Sequence, residues 1–196
     1  MTIDADRPVG PRSSKGERSR ARLLEAAKAV FEEHGFNEAR ISDIAEKAEL
    51  SYGTFYHYFQ SKEEIFRELA ASHERRLGEA VVAETETVTA ATPDLLVPGR
   101  LEAANRRYLA EYRREERLMR VIEQVSRHDT EFNRARLHRH LRYAERLAGA
   151  IVQLQRQGLV DEAIDPVVGS QIITAMVTRF AEAWFGEGRV SMRTVS

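Results

Sequence analysis

Apolar residues recur along most of this chain at three- and four-residue steps, the period of an α-helix with one buried face. From about Arg18 the step is kept by Leu24, Ala27 and Phe31, with Leu23 and Val30 beside them, and Gly35 supplies a stop. A second short helix fits residues 42–48, with Ile44 and Ala48 on one side. Ser51 has the chemistry of an N-cap, opening a brief helix over about 52–59. Ser61 opens the next, with Glu64 at capping-box spacing, and Ile65, Phe66 and Leu69 carry it onward. The stretch "TETVTAATPDLLVPG" is low in charge, holds two prolines and reads as a connection. Longer helices fit about 101–124, with a break near Glu115, then 130–157 and 166–185. In the second of these Leu137, Leu141, Ala144, Ala148 and Ile151 form a seam, and Gly158 ends it. In the third Ile173, Met176, Val177, Phe180 and Trp184 lie along one side. No strand-like alternation, repeat or low-complexity segment interrupts this, so an all-α fold is expected.

The segment "YGTFYHYF" departs from ordinary core patterning. A core rarely takes tyrosine, histidine and tyrosine in succession. Two short helices joined by a tight turn match a helix-turn-helix layout, whose second helix enters a DNA major groove by its N-terminal end. On such a helix Phe55 and Phe59, four apart, can pin the scaffold. Tyr52 and Tyr56, also four apart, share another face, each with an apolar ring and a polar tip. Thr54 offers a hydroxyl for phosphate and a methyl for thymine, and Gly53 permits close backbone approach. His57 and Lys62 are placed to touch phosphate, Lys62 beside a helix start that favours anions.

The sequence "ISDIAEKAELSYGTFYHYFQSKEEIF" resembles the DNA-binding signature of the tetracycline-repressor (TetR) family of bacterial regulators. The likeness rests on Ile41, Asp43-Ile44-Ala45, Ala48, Ser51, Gly53-Thr54, Tyr56-His57-Tyr58-Phe59 and Ser61-Lys62, with "LLEAAKAVFEEHGF" in support upstream. It implies a flexible basic arm over 1–17, a three-helix helix-turn-helix domain over 18–66, and a helical-bundle domain over 67–196 for effector binding and dimerisation. It also carries the family's DNA contacts onto Arg40 and Ser42, then Ser51, Tyr52, Thr54, Tyr56 and His57, then Lys62. Two positions depart from the family pattern. Glu49 stands where glycine is frequent, at a cost of ~1 kcal/mol if the backbone turns left-handed there. Tyr52 stands where lysine is common.

Charge adds one local feature. Over the 196 residues the formal charge is −1, so a basic surface has to be local. Residues 7–22 carry Arg7, Arg12, Lys15, Arg18, Arg20 and Arg22 against Glu17, which suits phosphate or minor-groove contact; a solubilising tail is the plainer reading. Cysteine is absent, excluding disulfides and cysteine chemistry. No apolar run approaches the ~20 residues of a membrane span and no secretory leader is evident, so a cytoplasmic protein is expected. His138 and His140, two apart on a helix, share no face, which argues against a metal site. No nucleophile elbow suggests an enzyme, and no cofactor is expected. The arginine-rich "RARLHRHLRYAER" reads as the wet side of a helix.

In the second half, Tyr108, Tyr112, Leu118, Met119, Ile122, Phe132, Leu141, Met176, Phe180 and Trp184 combine apolar bulk with polar tips. Each alone is ordinary core; together they suggest a ligand cavity, which the resemblance also implies. Glu123 and Arg179 interrupt apolar runs and, if both face inward, should pair because a lone buried charge is costly; the alternative is two separate surface charges. The expected function is therefore a ligand-responsive regulator. It would be a homodimeric repressor released from a palindromic operator by a large, mostly apolar small molecule such as an acyl thioester, a steroid-like compound or an aromatic catabolite. A DNA-binding protein with no effector, or an activator, are the alternatives. Dimerisation is expected around 165–185. Only eight residues follow Gly188, where relatives usually add a further dimer helix, so either the chain is short there or its dimer contact differs.

Overall fold

The computed structural model describes residues 14–85 and 97–186. Most of the basic arm (1–13), most of the proposed connection (86–96) and the residues after Gly186 lie outside the described residues. Every described element is helical. The chain divides into two compact units, residues 1–69 and 70–196.

In the first unit, α1 (Ser14–Glu38), α2 (Ile41–Lys47), α3 (Tyr52–Tyr58) and the opening turns of α4 (Lys62–Thr85) enclose one core. Leu23, Ala27, Val30 and Phe31 of α1 are buried, together with Ile44, Ala45, Phe55, Phe59, Ile65 and Phe66. The Phe31 ring meets Phe66 edge-on at 5.1 Å, and Phe36 closes the same cluster at 4.8 Å from Phe66. α1 begins at Ser14, inside the segment expected to be an arm, and its regular part stops at Gly35, whose φ is 73. Between α2 and α3 the chain turns through Glu49 with φ 50. This position does take the left-handed conformation without a glycine, and the Glu49 carboxylate accepts from Arg22 Nη2 at 2.9 Å. Ser51 caps α3 by accepting the Thr54 N–H at 3.1 Å. Ser61 likewise accepts the Glu64 N–H at 3.2 Å, while the Glu64 carboxylate reaches back one residue further than a capping box requires, to the Gln60 N–H.

The second unit holds the rest of α4 with α5 (Val97–Arg114), α6 (Glu116–His128), α7 (Thr130–Arg156), α8 (Pro166–Ala181) and a π-helical turn at Glu182–Gly186. Glu115 is the expected break, though α5 starts earlier and α6 runs further than periodicity suggested. Asp129 caps α7 through the Phe132 N–H, and Asp165 caps α8 through Val167 and Val168, with Pro166 in the first turn. Gly158, φ 71, ends α7. α7 and α8 pack along one another.

The buried row of α7 differs from the expected seam. Leu137 and Leu141 are about half exposed, whereas Phe132, Arg136, Ala144, Ala148 and Ile151 are inside. Positions 132, 136, 140, 144 and 148 form a strict four-residue series, so the row places an arginine and a histidine inward. The arginine-rich stretch is consequently not all solvated face. Arg136 is retained inside because Glu74 of α4 accepts from its Nε at 2.8 Å; the other Glu74 oxygen accepts from Arg139 Nε at 2.7 Å. A charge buried with such partners avoids the penalty that an isolated one would carry.

Candidate nucleic-acid interface and interior pocket

α3 has two chemically opposed sides. Phe55 and Phe59 point into the core, with no more than 1% of either exposed, and the Arg20 guanidinium lies 5.2 Å from the Phe59 ring centre. Tyr52 and Tyr56 point out, 54% and 46% exposed, their hydroxyls 3.2 Å apart and their rings edge-to-face. The hydrogen bond shared with Tyr52, with a smaller effect of burial, raises the Tyr56 hydroxyl above its usual pKa. Ser51, Gly53 and His57 are exposed, and Thr54 is half-buried. A side chain at Gly53 would meet little besides Ser51 Oγ at 3.9 Å, so the backbone there is open to close approach. Thr54 Oγ1 lies 2.7 Å from Ser51 Oγ. Arg40 and Ser42 are exposed at the start of α2, where Ser42 Oγ donates to Asp43. Lys62 is more constrained than the sequence suggested. Its Nζ donates to the Asn37 carbonyl at 3.0 Å and sits 4.9 Å from the Phe36 ring centre, leaving only part of the ammonium for an anion.

In the second unit a pocket of about 60 Å³ lies among α4, α5, α6, α7 and α8. Leu77, Met119, Leu147, Ile173 and Val177 give it an apolar body. Polar atoms converge from Asn105, Tyr108, Thr174, Thr178, Arg136 and His140. Burial pushes the Tyr108 phenol up to about 12 and the His140 imidazole down to about 4, the latter helped by Arg136 and Arg139, so both are neutral near pH 7. Burial also raises Glu74, against the lowering effect of the two arginines. α4 approaches α7 closely at Gly78, where a Cβ would fall 2.0 Å from the Tyr143 ring. The Tyr143 hydroxyl donates to the Arg75 carbonyl at 3.3 Å. On the far side of Arg136, His140, Thr174 and Thr178 an open groove of about 500 Å³ runs between α7 and α8.

This lining differs from the set expected of a cavity. Tyr108 and Met119 face the pocket. Tyr112, Leu118, Ile122 and Phe132 are instead buried packing. Glu123 does not pair with Arg179: it accepts the Tyr112 hydroxyl inside the fold, with burial raising both groups, while Arg179 lies exposed with Glu182 at 3.4 Å. The cation at the pocket is Arg136, not Arg179. Leu141 and Arg179 line the outer groove, Met176 and Phe180 are exposed on α8, and Trp184 is half-buried with its ring 4.7 Å from that of Phe180. Residues missed in the sequence are Glu74, Asn105, Arg136, His140 and Tyr143. The four-residue series on α7 was the available signal for Arg136 and His140. Among the described residues no group of acids and histidines forms a metal site, and no helix is long and apolar enough to cross a membrane.

Residues 23–69 match the family model described as "Bacterial regulatory proteins, tetR family". The chain is 47% identical over 74 residues to YdgC of Bacillus subtilis, an uncharacterized HTH-type transcriptional regulator. That match covers 36% of this chain and 38% of YdgC, so it spans well under half of the relative's length. Across most of its length the fold is similar to a protein from Mesorhizobium loti described as a TetR-family transcriptional regulator. There the TM-score is 0.74 at 23% identity, covering 91% of this chain and 90% of that one. It is also similar to the regulator FadR of Bacillus subtilis in complex with stearoyl-CoA, with TM-score 0.68, 19% identity, and coverage of 87% and 89%. At these identities the likeness establishes the fold.

Proposed function

We propose that this chain, whose residues 23–69 match the TetR family's DNA-binding segment, is a homodimeric regulator of transcription whose hold on a palindromic operator is weakened by a small molecule in the second unit. The observation that carries the reading is the split of α3: two aromatic anchors are buried, two tyrosines and a histidine are exposed, and a half-buried threonine lies between. A buried half fixes the helix; the exposed half has no packing role to explain it.

In this account Tyr52, Thr54 and Tyr56 reach base edges, with Gly53 admitting the backbone to close range. Ser51, Ser42, His57, Arg40 and the unengaged part of Lys62 hold phosphates and so fix orientation. One such helix reads only a few base pairs. Two copies related by a two-fold axis read two half-sites about 34–36 Å apart, which is why the operator should be palindromic. The contact between copies would use the outward side of α7 and α8, where Leu137, Leu141, Val168, Ile172, Met176 and Phe180 are exposed together. An apolar surface of this kind favours burial against a second copy.

The pocket beside Arg136 is the proposed effector site. Its apolar body with a few converging polar atoms is the usual composition of a small-molecule site. The space of about 60 Å³ admits only a small group as it stands, so a larger ligand requires side chains to turn. FadR, which shares the fold, is known in complex with stearoyl-CoA. α4 is one continuous helix beginning in the DNA-binding segment and ending in the second unit, and it supplies Glu74, Leu77 and Gly78 to the pocket. It is the proposed route by which ligand alters DNA affinity. A ligand preferring the weakly binding conformation by ~100-fold shifts the equilibrium by about 2.7 kcal/mol, enough to empty an operator. Selection of duplexes from a random library at fixed salt, followed by a screen for compounds that release them, tests this reading. Enrichment of a palindrome and its release by a ligand support it; a chain that enriches no sequence refutes it.

A further inference from the structure

Next to the interior pocket, on α4 and α7, lies a third concavity of about 280 Å³ whose wall is mostly arginine. Arg75 comes from α4, and Arg139, Arg142 and Arg146 come from α7 at three- and four-residue spacing, which puts them on one face. Glu79 is the acid in the same lining. Arg139 is engaged with Glu74 at 2.7 Å; among the described residues no carboxylate forms an ion pair with Arg75, Arg142 or Arg146. A chain whose formal charge is −1 thus gathers four guanidinium groups around one small space. Like charges in a concavity raise the local potential and draw in anions, and guanidinium forks suit phosphate oxygens in particular.

The cleft is not isolated from the pocket. Tyr143 lines both, and Gly78, against which its ring rests, lines the pocket. One aromatic side chain therefore separates an apolar interior from a basic exterior. We propose that the arginine cleft seats the phosphate-bearing head of the effector, while the effector's apolar acyl or aryl group enters the pocket behind Tyr143. The inference rests on the reading of the pocket as an effector site. It explains why the pocket is small in this conformation: Tyr143 turns aside when one molecule occupies both spaces. It also gives the exposed arginines a role that a merely solvated helix face would not need, since such a face spreads its charges between both signs.

The test uses the full chain and calorimetric titration with two kinds of probe. Octanoyl-coenzyme A and phenylacetyl-coenzyme A carry the phosphates; the N-acetylcysteamine thioesters of the same two acids lack them. The expected result is that the coenzyme A thioesters bind at least about tenfold more tightly. Raising the salt should narrow the difference, because exposed charges are screened. In the variant Arg142→Gln/Arg146→Gln, whose altered side chains are exposed, the advantage should vanish while the phosphate-free thioesters bind as before. Equal affinity of the two kinds of thioester, or an advantage that survives the double substitution, overturns the cleft assignment and leaves the pocket reading standing. Binding of none of the four overturns both.

Discussion

Phe55 and Tyr56 are neighbours in the chain and occupy opposite environments, one sealed in the core and the other facing solvent. Substitution should therefore separate folding from function. Phe55→Ala removes a buried ring and is expected to cost about 3–5 kcal/mol, read as a fall in denaturant midpoint. Tyr56→Ala should leave the thermal midpoint almost unchanged and weaken duplex binding by about tenfold, read in a mobility-shift titration. This contrast was legible in the sequence because a four-residue step sorts the aromatics of a short helix into two faces. His140 was harder to place. Two residues from His138 on a helix rich in arginine, it looked solvated, yet burial and two arginines hold its pKa near about 4 against 6.5 for a free imidazole. The sign of the consequence follows from linkage: the unfolded chain binds the proton more readily, so stability is full above pH 6.5 and lost as the pH falls towards 4. The loss attributable to His140 is on the order of 3 kcal/mol. Chemical denaturation across this range should show it, and His140→Gln should flatten the profile.

Among the elements, α7 shows where reading by hydrophobicity fails. The apolar seam 137–141–144–148–151 and the series 132–136–140–144–148 share their later members, and hydrophobicity alone favours the first. Which row turns inward is decided by α4, whose Glu74 supplies a buried partner sixty-two residues distant in the chain. No local pattern encodes such a pairing. Arg136→Met should cost about 3–5 kcal/mol because Glu74 loses a partner in a dry setting. Adding Glu74→Gln should cost less than the sum of the two single changes, and a double-mutant cycle in urea measures the difference. Gly78 belongs to the same contact. Alanine there meets the Tyr143 ring, so Gly78→Ala should displace Tyr143 and alter effector affinity more than stability. By contrast, the caps were readable in advance: Ser51 and Ser61 act through their own backbone neighbourhood, and the Gly35 and Gly158 stops need only the local φ.

For the molecule as a whole, the resemblance to the TetR family was legible in the first third of the chain, where a short motif constrains most positions, and the all-helical fold in the helical spacing that runs through the rest. The pocket lining was not, because it is assembled from five helices and depends on how each is rotated. Rotation also decides the fate of α8, which is apolar on both sides: Ile173 and Val177 face the pocket, while Ile172, Met176 and Phe180 face out. If that outer side joins two copies, Ile172→Glu/Met176→Glu should yield a folded monomer by light scattering, with operator affinity lowered by at least about a hundredfold through loss of the second half-site.

The central claim is that the exposed half of α3 reads DNA, and the most direct measurement compares the intact chain with Tyr52→Ala/Tyr56→Ala on the duplex that the chain selects. With both proteins folded and dimeric, this account predicts tight binding by the first and near-complete loss of sequence preference by the second. Undiminished discrimination between the selected duplex and a scrambled one, with both tyrosines gone, would contradict it.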